Sequence, residues 1–177
     1  FGNVYKITEE MFNVWLNILK EAPNSVLWLM DDNKATTHQL KTYAQQKGAD
    51  LNRIIFTGRA AHAEYLAKLR MADVFLDNFP YNCGSTTRDV IAAGIPLITI
   101  SGKTLVSRMG GSVLTSLNIS ELITQDKRNY LTKLILMSKS EQIRKDIKRR
   151  INKKLNMCNS SKEVVKSIER EILKEFK

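Results

Sequence analysis

Residues 74–100 read VFLDNFPYNCGSTTRDVIAAGIPLITI, and the fold class follows from this stretch. Val74 to Leu76 is a short apolar run of strand character, followed by a polar loop carrying Pro80 and Gly84. Thr86 to Ala93 reads as a helix, and Pro96 to Ile100 (PLITI) as a second apolar strand. A helix joining two such strands is a right-handed crossover, which pairs the strands in parallel. Strands this uniformly apolar are covered on both faces.

The alternation extends towards the N-terminus. Phe1, Gly2 and Asn3 read as the end of a strand running into a loop, which places Lys6 just after a first strand and predicts a region upstream of Phe1. Thr8 is a candidate N-cap, with Glu9 and Glu10 suited to the positive helix end and Met11, Trp15, Ile18 and Leu19 as the apolar stripe. Pro23 stops that helix, and Ser25 to Leu29 (SVLWL) is a strand. A helix from Thr36 to Lys47 ends before Gly48, Arg53 to Thr57 (RIIFT) is a strand, and Ala61 to Met71 is helical.

Beyond Lys103 the strand signals cease. Thr104 to Leu117, Ser120 to Ile123 and a series running to Phe176 read as helical. Ile143, Ile147, Ile151 and Leu155 form one apolar stripe, while Val164, Val165, Ile168, Ile172 and Leu173 form another, and both require a surface to dock on. The predicted fold is therefore α/β, a doubly wound parallel sheet with a C-terminal helical extension. Residues 1–126 make the lobe, and residues 127–177 make basic helices packed on it within one structural domain.

The chain has 177 residues and a formal net charge of +10, a size that suits one domain. Hydrophobic residues at 43% exclude global disorder. Cys83 and Cys158 supply neither a disulfide framework nor a four-cysteine zinc site, and no run is long and apolar enough to span a bilayer. These features, without a signal peptide, point to a cytoplasmic protein with no membrane partner. Residues 1–126 carry 12 basic and 12 acidic side chains, so the whole excess lies in residues 127–177. That segment suits nucleic acid, an anionic surface or a solvated helix face. Its only aromatics are Tyr130 and Phe176 and it shows no nucleic-acid motif, so nucleic acid ranks low as a partner.

Ligands of open parallel sheets bind at the carboxyl ends of the strands, which makes Asp77 to Gly94 the richest loop region. Gly84 permits close backbone approach, and Ser85, Thr86 and Thr87 supply hydroxyls and amides at a helix start, an arrangement suited to phosphate. Asp89, one turn on, suits a pair of ribose hydroxyls. The same residues also read as an ordinary helix start, with Ser85 or Thr86 as N-cap and Asp89 matched to the dipole. Asp31 with Asp32, and Asp77 with Asn78, are too few hard ligands for a metal site, and none is predicted. Cys83 has no His near it in sequence and reads as a small filler.

FPYNCGSTTRDVIAAGIPLIT (79–99) followed by GKTLVSRMGGSVL (102–114) resembles the sugar-nucleotide half of O-linked N-acetylglucosamine transferases and their SPINDLY-like relatives. NVYKIT (3–8) with MFNVWLNILKEAPNSVLWLM (11–30) resembles the family's opening loop, helix and strand. NRIIFTGRAAHAEYLAKLRMADVFLD (52–77) resembles its base-binding region. The resemblance implies the Rossmann-like nucleotide-sugar lobe of a GT-B glycosyltransferase, ordinarily preceded by a second lobe and helical repeats that would recognise the protein acceptor.

It further implies an inverting, metal-independent transfer of N-acetylglucosamine from UDP-GlcNAc to Ser or Thr, with the nucleotide sugar as substrate and no cofactor. Lys6 falls on the family's catalytic lysine, which also reads as a solvated loop lysine. Asn3 falls on a phosphate-side polar contact that is usually Gln. Gly84, Ser85, Thr86 and Thr87 overlie the diphosphate loop, where animal members place a His before the threonines, and Asp89 overlies the ribose partner. Ala60, His62 and Lys68 overlie the base contacts, with His62 where Lys is common. Ser107 and Arg108 match an SR motif whose expected use is capping or packing beneath the phosphate loop. A GDP-fucose-dependent transferase of SPINDLY type shares the loop and remains the alternative donor reading.

Overall fold

The computed structural model describes residues 2–156 and 161–175; Phe1, Cys158 and Phe176 lie outside them, as does the side chain of Val164. The described residues form five parallel strands and eight helices; helix and strand alternate from the first helix to the sixth, and the last three helices follow one another without a strand between. Strand β1 (Leu27–Met30) pairs with β2 (Ile54–Thr57), and β3 (Phe75–Leu76), β4 (Leu97–Ile100) and β5 (Ile123–Thr124) pair in that order. The hydrogen-bond ladders thus fall into two parallel sheets. All four residues of β4 are buried, as an apolar run flanked by a strand on each side requires.

The first helix, α1 (Glu9–Glu21), starts where its sequence predicts, with the Thr8 hydroxyl accepting from the Met11 amide at 3.2 Å. It buries Met11, Phe12, Trp15, Leu16, Ile18 and Leu19. Its C-terminal carbonyls are closed by a side chain from a distant strand approach. The Arg53 guanidinium donates to the carbonyls of Leu19 (2.9 Å), Ala22 (2.6 Å) and Ser25 (2.9 Å). Helices α2 (Lys34–Gln46), α3 (His62–Arg70), α4 (Ser85–Ala92) and α5 (Met109–Ser116) are the crossovers, and α6 (Lys127–Lys139), α7 (Glu141–Asn156) and α8 (Ser161–Glu175) form the extension.

Three expectations are corrected. Gly2 and Asn3 belong to no strand, and Lys6 instead ends a 3-10 turn at Val4–Lys6, in which the Lys6 amide donates to the Asn3 carbonyl at 3.1 Å. The strand signals do not end at Lys103: after a 3-10 turn at Ser120–Leu122, Ile123 and Thr124 pair with Thr99 and Ile100. Two residues are too few to show a period in sequence, and only the neighbouring β4 makes them a strand. Of the α8 stripe, the four residues whose side chains are described do not dock: Val165, Ile168, Ile172 and Leu173 are each more than half exposed. The α7 stripe does dock, with Ile147 and Ile151 buried and Ile143 and Leu155 packed against the same core.

One apolar cluster runs from α1 through β1, β2 and β4 to α6 and α7. Tyr130 of α6 is fully buried in it and forms a polar chain: Trp15 Nε1 donates to the Tyr130 hydroxyl (3.3 Å), which donates to the Asp77 carbonyl (3.1 Å). The basic residues of α7 are largely used within the chain. Arg144 pairs with Asp73, Lys145 with Glu141, Arg149 with Asp146 and Arg150 with Glu121, while Lys148 donates to the Ala72 carbonyl. No described helix is long and apolar enough to cross a membrane.

Candidate active site

The loop after β3 is organised by a buried carboxylate. Asp77 is fully buried; its Oδ1 accepts from the amides of Cys83 (2.7 Å) and Asn78 (2.9 Å), and its Oδ2 accepts from the Thr99 hydroxyl (2.7 Å). Burial outweighs these bonds and pushes the carboxyl up to about 6. Gly110 of α5 makes the arrangement possible, because a Cβ there would stand 2.5 Å from Asp77 Oδ2 and 2.8 Å from Thr99 Oγ1. Asn82, also buried, donates from its side chain to the carbonyls of Asn78 (2.8 Å) and Ile100 (3.3 Å) and from its backbone to Val106 (3.0 Å). The loop between its ends, including the cis Phe79–Pro80 bond, is therefore tied at both flanks.

This loop delivers the chain to the start of α4. Gly84 is the N-cap residue and no side chain caps the helix, so no side chain occupies the amides of Ser85 and Thr86 at its start. Neither Ser85 nor Thr86 is the N-cap, contrary to the ordinary-helix reading. Thr87 is fully buried; its hydroxyl donates inward to the Cys83 carbonyl and its amide to Gly84 (3.0 Å), so it shapes the loop. Met109 of α5 lies over Gly84, where a Cβ would come within 2.7 Å of its methyl carbon.

Lys6 reaches the same loop from the N-terminal turn. Its ammonium donates to the Asn82 carbonyl at 3.1 Å and stands 4.1 Å from the centre of the Tyr81 ring. Gly2 packs beneath, its Cβ position 3.1 Å from the Cys83 sulfur, and the Thr8 hydroxyl donates to the Phe79 carbonyl at 3.4 Å. Cys83 is buried, and burial followed by the Asp77 charge pushes its thiol up to about 12, which suits a filler and not a nucleophile. Asn3 is exposed and its side chain caps nothing in the turn.

The residues expected at the base run from the β2–α3 connection into α3. Ala60 precedes the helix, His62 is its exposed first residue with its ring 6.2 Å from that of Tyr65, and Lys68 pairs with Glu64 at 2.7 Å. Tyr65 joins this side to α4: its hydroxyl bonds the Thr86 side chain and lies near Asp89, and burial with the Asp89 charge pushes it up to about 12. Asp32, at the end of β1, faces the Arg59 guanidinium at 3.1 Å and the Val4 amide at 3.5 Å, linking the base loop to the lysine turn.

The structure thus gathers Lys6, Gly84, Ser85, Thr86 and Thr87 around one loop, and reaches Asp89 and His62 through Tyr65. Tyr65, Tyr81 and Asn82 went unread in the sequence, and Asp77 was weighed there only as a metal ligand; their signals are an aromatic one turn after His62 and aromatic and polar residues after a strand end. Ser107 is buried and closes a capping box with Thr104, while the Val106 carbonyl holds Asn82, so the SR segment packs against the β3–α4 loop. Asp31 accepts from Thr37, and among the described residues no cluster of three or more His, Cys, Asp or Glu could hold a metal.

The pattern of glycosyl transferase family 41 matches residues 1–166. A protein of Arabidopsis thaliana named probable UDP-N-acetylglucosamine–peptide N-acetylglucosaminyltransferase SEC is 34% identical over 139 residues, covering 78% of this chain and 14% of that protein. A UDP-N-acetylglucosamine–peptide N-acetylglucosaminyltransferase of Caenorhabditis elegans is 31% identical over 132 residues, 75% of this chain and 12% of that protein. A solved mutant O-GlcNAc transferase of Thermobaculum terrenum shares the fold, with a TM-score of 0.82 at 21% identity over 86% of this chain and 30% of that one. The chain therefore spans a small part of the length of the curated relatives it matches. With the family pattern running through the strands, the loop before α4 and most of the extension, this chain belongs to glycosyl transferase family 41.

Proposed function

We propose that this chain is the donor-binding lobe of an inverting, metal-independent protein O-GlcNAc transferase, moving N-acetylglucosamine from UDP-GlcNAc to Ser or Thr hydroxyls. The observation that carries the reading is the placement of the Lys6 ammonium and the uncapped start of α4 on one loop. As the bond from the sugar to the diphosphate breaks, negative charge grows on the leaving oxygen. Lys6 and the uncapped amides of Ser85 and Thr86 meet that charge, while Thr87 holds the loop in shape. Asp89 accepts from the ribose hydroxyls, the backbone at Ala60 with His62 and Lys68 contacts the base, and Asn3 approaches the phosphates from the lysine turn.

The relatives at 34% and 31% identity bear names that specify UDP-N-acetylglucosamine and a peptide, which favours UDP over GDP as the nucleotide. Acceptor binding and any general base belong to the rest of a longer protein, and this lobe alone transfers nothing. The test is Lys6→Ala in the full-length protein. One such electrostatic donor is worth about 3–4 kcal/mol, so kcat is expected to fall by about 10²–10³ while calorimetry still detects UDP binding in preference to GDP. Wild-type turnover in the Lys6→Ala protein would refute the reading, and a preference for GDP would refute its choice of donor.

A further inference from the structure

Lys6 is held in a way that its role does not by itself require. Its ammonium has two partners, the Asn82 carbonyl at 3.1 Å and the face of the Tyr81 ring at 4.1 Å. Among the described residues, no carboxylate forms an ion pair with it. That choice of partners has a chemical consequence. A carboxylate would fix the lysine but cancel the charge that the diphosphate needs, whereas a ring quadrupole and a carbonyl dipole orient the ammonium and leave its charge in place.

Tyr81 contributes little to the core, being 44% exposed on the loop. Its backbone is nonetheless firmly set. The next residue, Asn82, is tied to Val106, Asn78 and Ile100, and the amide of Cys83 is tied to buried Asp77. The segment that presents α4 to a phosphate therefore also presents an aromatic face to Lys6. Lysine has a long flexible stem, and holding its head in advance removes an ordering cost from the step in which charge grows on the leaving diphosphate.

We propose that Tyr81 is a positioning residue: its ring and the Asn82 carbonyl form a two-sided seat that aims the Lys6 ammonium at the mouth of the phosphate loop without neutralising it. The inference rests on the reading of Lys6 as the leaving-group partner. It requires an aromatic face at position 81 and no hydroxyl.

The experiment uses the full-length protein with Tyr81→Phe, Tyr81→Trp and Tyr81→Leu. Steady-state transfer from UDP-GlcNAc is measured alongside UDP binding. Tyr81→Leu is expected to lower kcat by about 3–30-fold with KM and UDP affinity within about twofold, and the Phe and Trp variants to restore most of the loss. A second readout needs no turnover. After reductive methylation with ¹³C, the Lys6 N-methyl signal, assigned by its absence in Lys6→Arg, is expected to show an upfield ring-current shift in wild type and Tyr81→Phe that disappears in Tyr81→Leu.

Wild-type kcat in Tyr81→Leu, equal damage in Phe and Leu, or an unshifted Lys6 signal in the wild type would each overturn the proposal. The two readings fail separately. Loss of transfer in Lys6→Ala with full activity in Tyr81→Leu removes only the seat. Retained transfer in Lys6→Ala removes the donor-lobe reading and the purpose of the seat with it.

Discussion

Replacing Asp77 by Asn tests the centre of the loop, because it exchanges a buried carboxylate for a neutral group of the same shape. In the folded chain burial raises the Asp77 pKa from 3.8 to about 6, against the lowering effect of the Cys83, Thr99 and Asn78 bonds. Between those two values the folded protein keeps a proton that the unfolded chain has released. Stability is therefore highest below the unfolded value, falls as pH rises towards 6, and levels off above it. At about 1.36 kcal/mol per pH unit, the interval corresponds to about 3 kcal/mol.

The side chain introduced by Asp77→Asn has no such titration. Its carbonyl oxygen can still accept from the amides of Asn78 and Cys83, and its amide can donate to the Thr99 hydroxyl oxygen, which then acts as acceptor where it was the donor. Urea unfolding of both proteins from pH 4 to pH 7, followed by circular dichroism, gives a difference in which the other titrating groups cancel. Wild type is expected to lose about 2 kcal/mol relative to Asp77→Asn across that range, the rest of the loss falling below pH 4. Asp77→Ala provides the contrast, since it leaves three buried donors unmatched at about 1–3 kcal/mol each and is expected to be less stable than the Asn variant at every pH. A difference between wild type and Asp77→Asn that stays flat with pH would refute the account of Asp77 as a carboxylate strained by burial.

Two further outcomes follow from packing. Gly110→Ala would push a methyl into Asp77 Oδ2 and Thr99 Oγ1, both already committed to each other, and is expected to cost about 1–3 kcal/mol, a Tm loss of about 2–12 °C by calorimetry. Arg53→Met keeps the side-chain length but uncaps the carbonyls of Leu19, Ala22 and Ser25. It is expected to cost about 2–3 kcal/mol in urea unfolding, with hydrogen exchange rising first at the end of α1, and an unchanged midpoint would show that water replaces the guanidinium without penalty.

Much of the architecture is local and so was legible. Thr8, Pro23, the SVLWL and PLITI runs and the apolar stripes of α1 and α7 each carry their own signal, because caps, prolines and periodic burial act over a few residues. The short strand β5 carried none, since its pairing depends on β4 lying beside it. The α8 stripe was legible as amphipathic, but periodicity marks an apolar face without saying whether this chain covers it.

The candidate site divides along the same line. Residue order alone establishes the parallel α/β alternation, a Gly-Ser-Thr-Thr helix start suited to phosphate, and a lysine far upstream of it that resembles a catalytic one. It took the folded chain to show that Lys6 and Asn82, 76 residues apart, share a hydrogen bond, that α4 begins without a side-chain cap, and that Asp77 is buried under Gly110. Residue type and spacing specify what a group is able to donate or accept. Which partner it meets, and whether water is excluded there, depends on how distant strands and helices close upon one another.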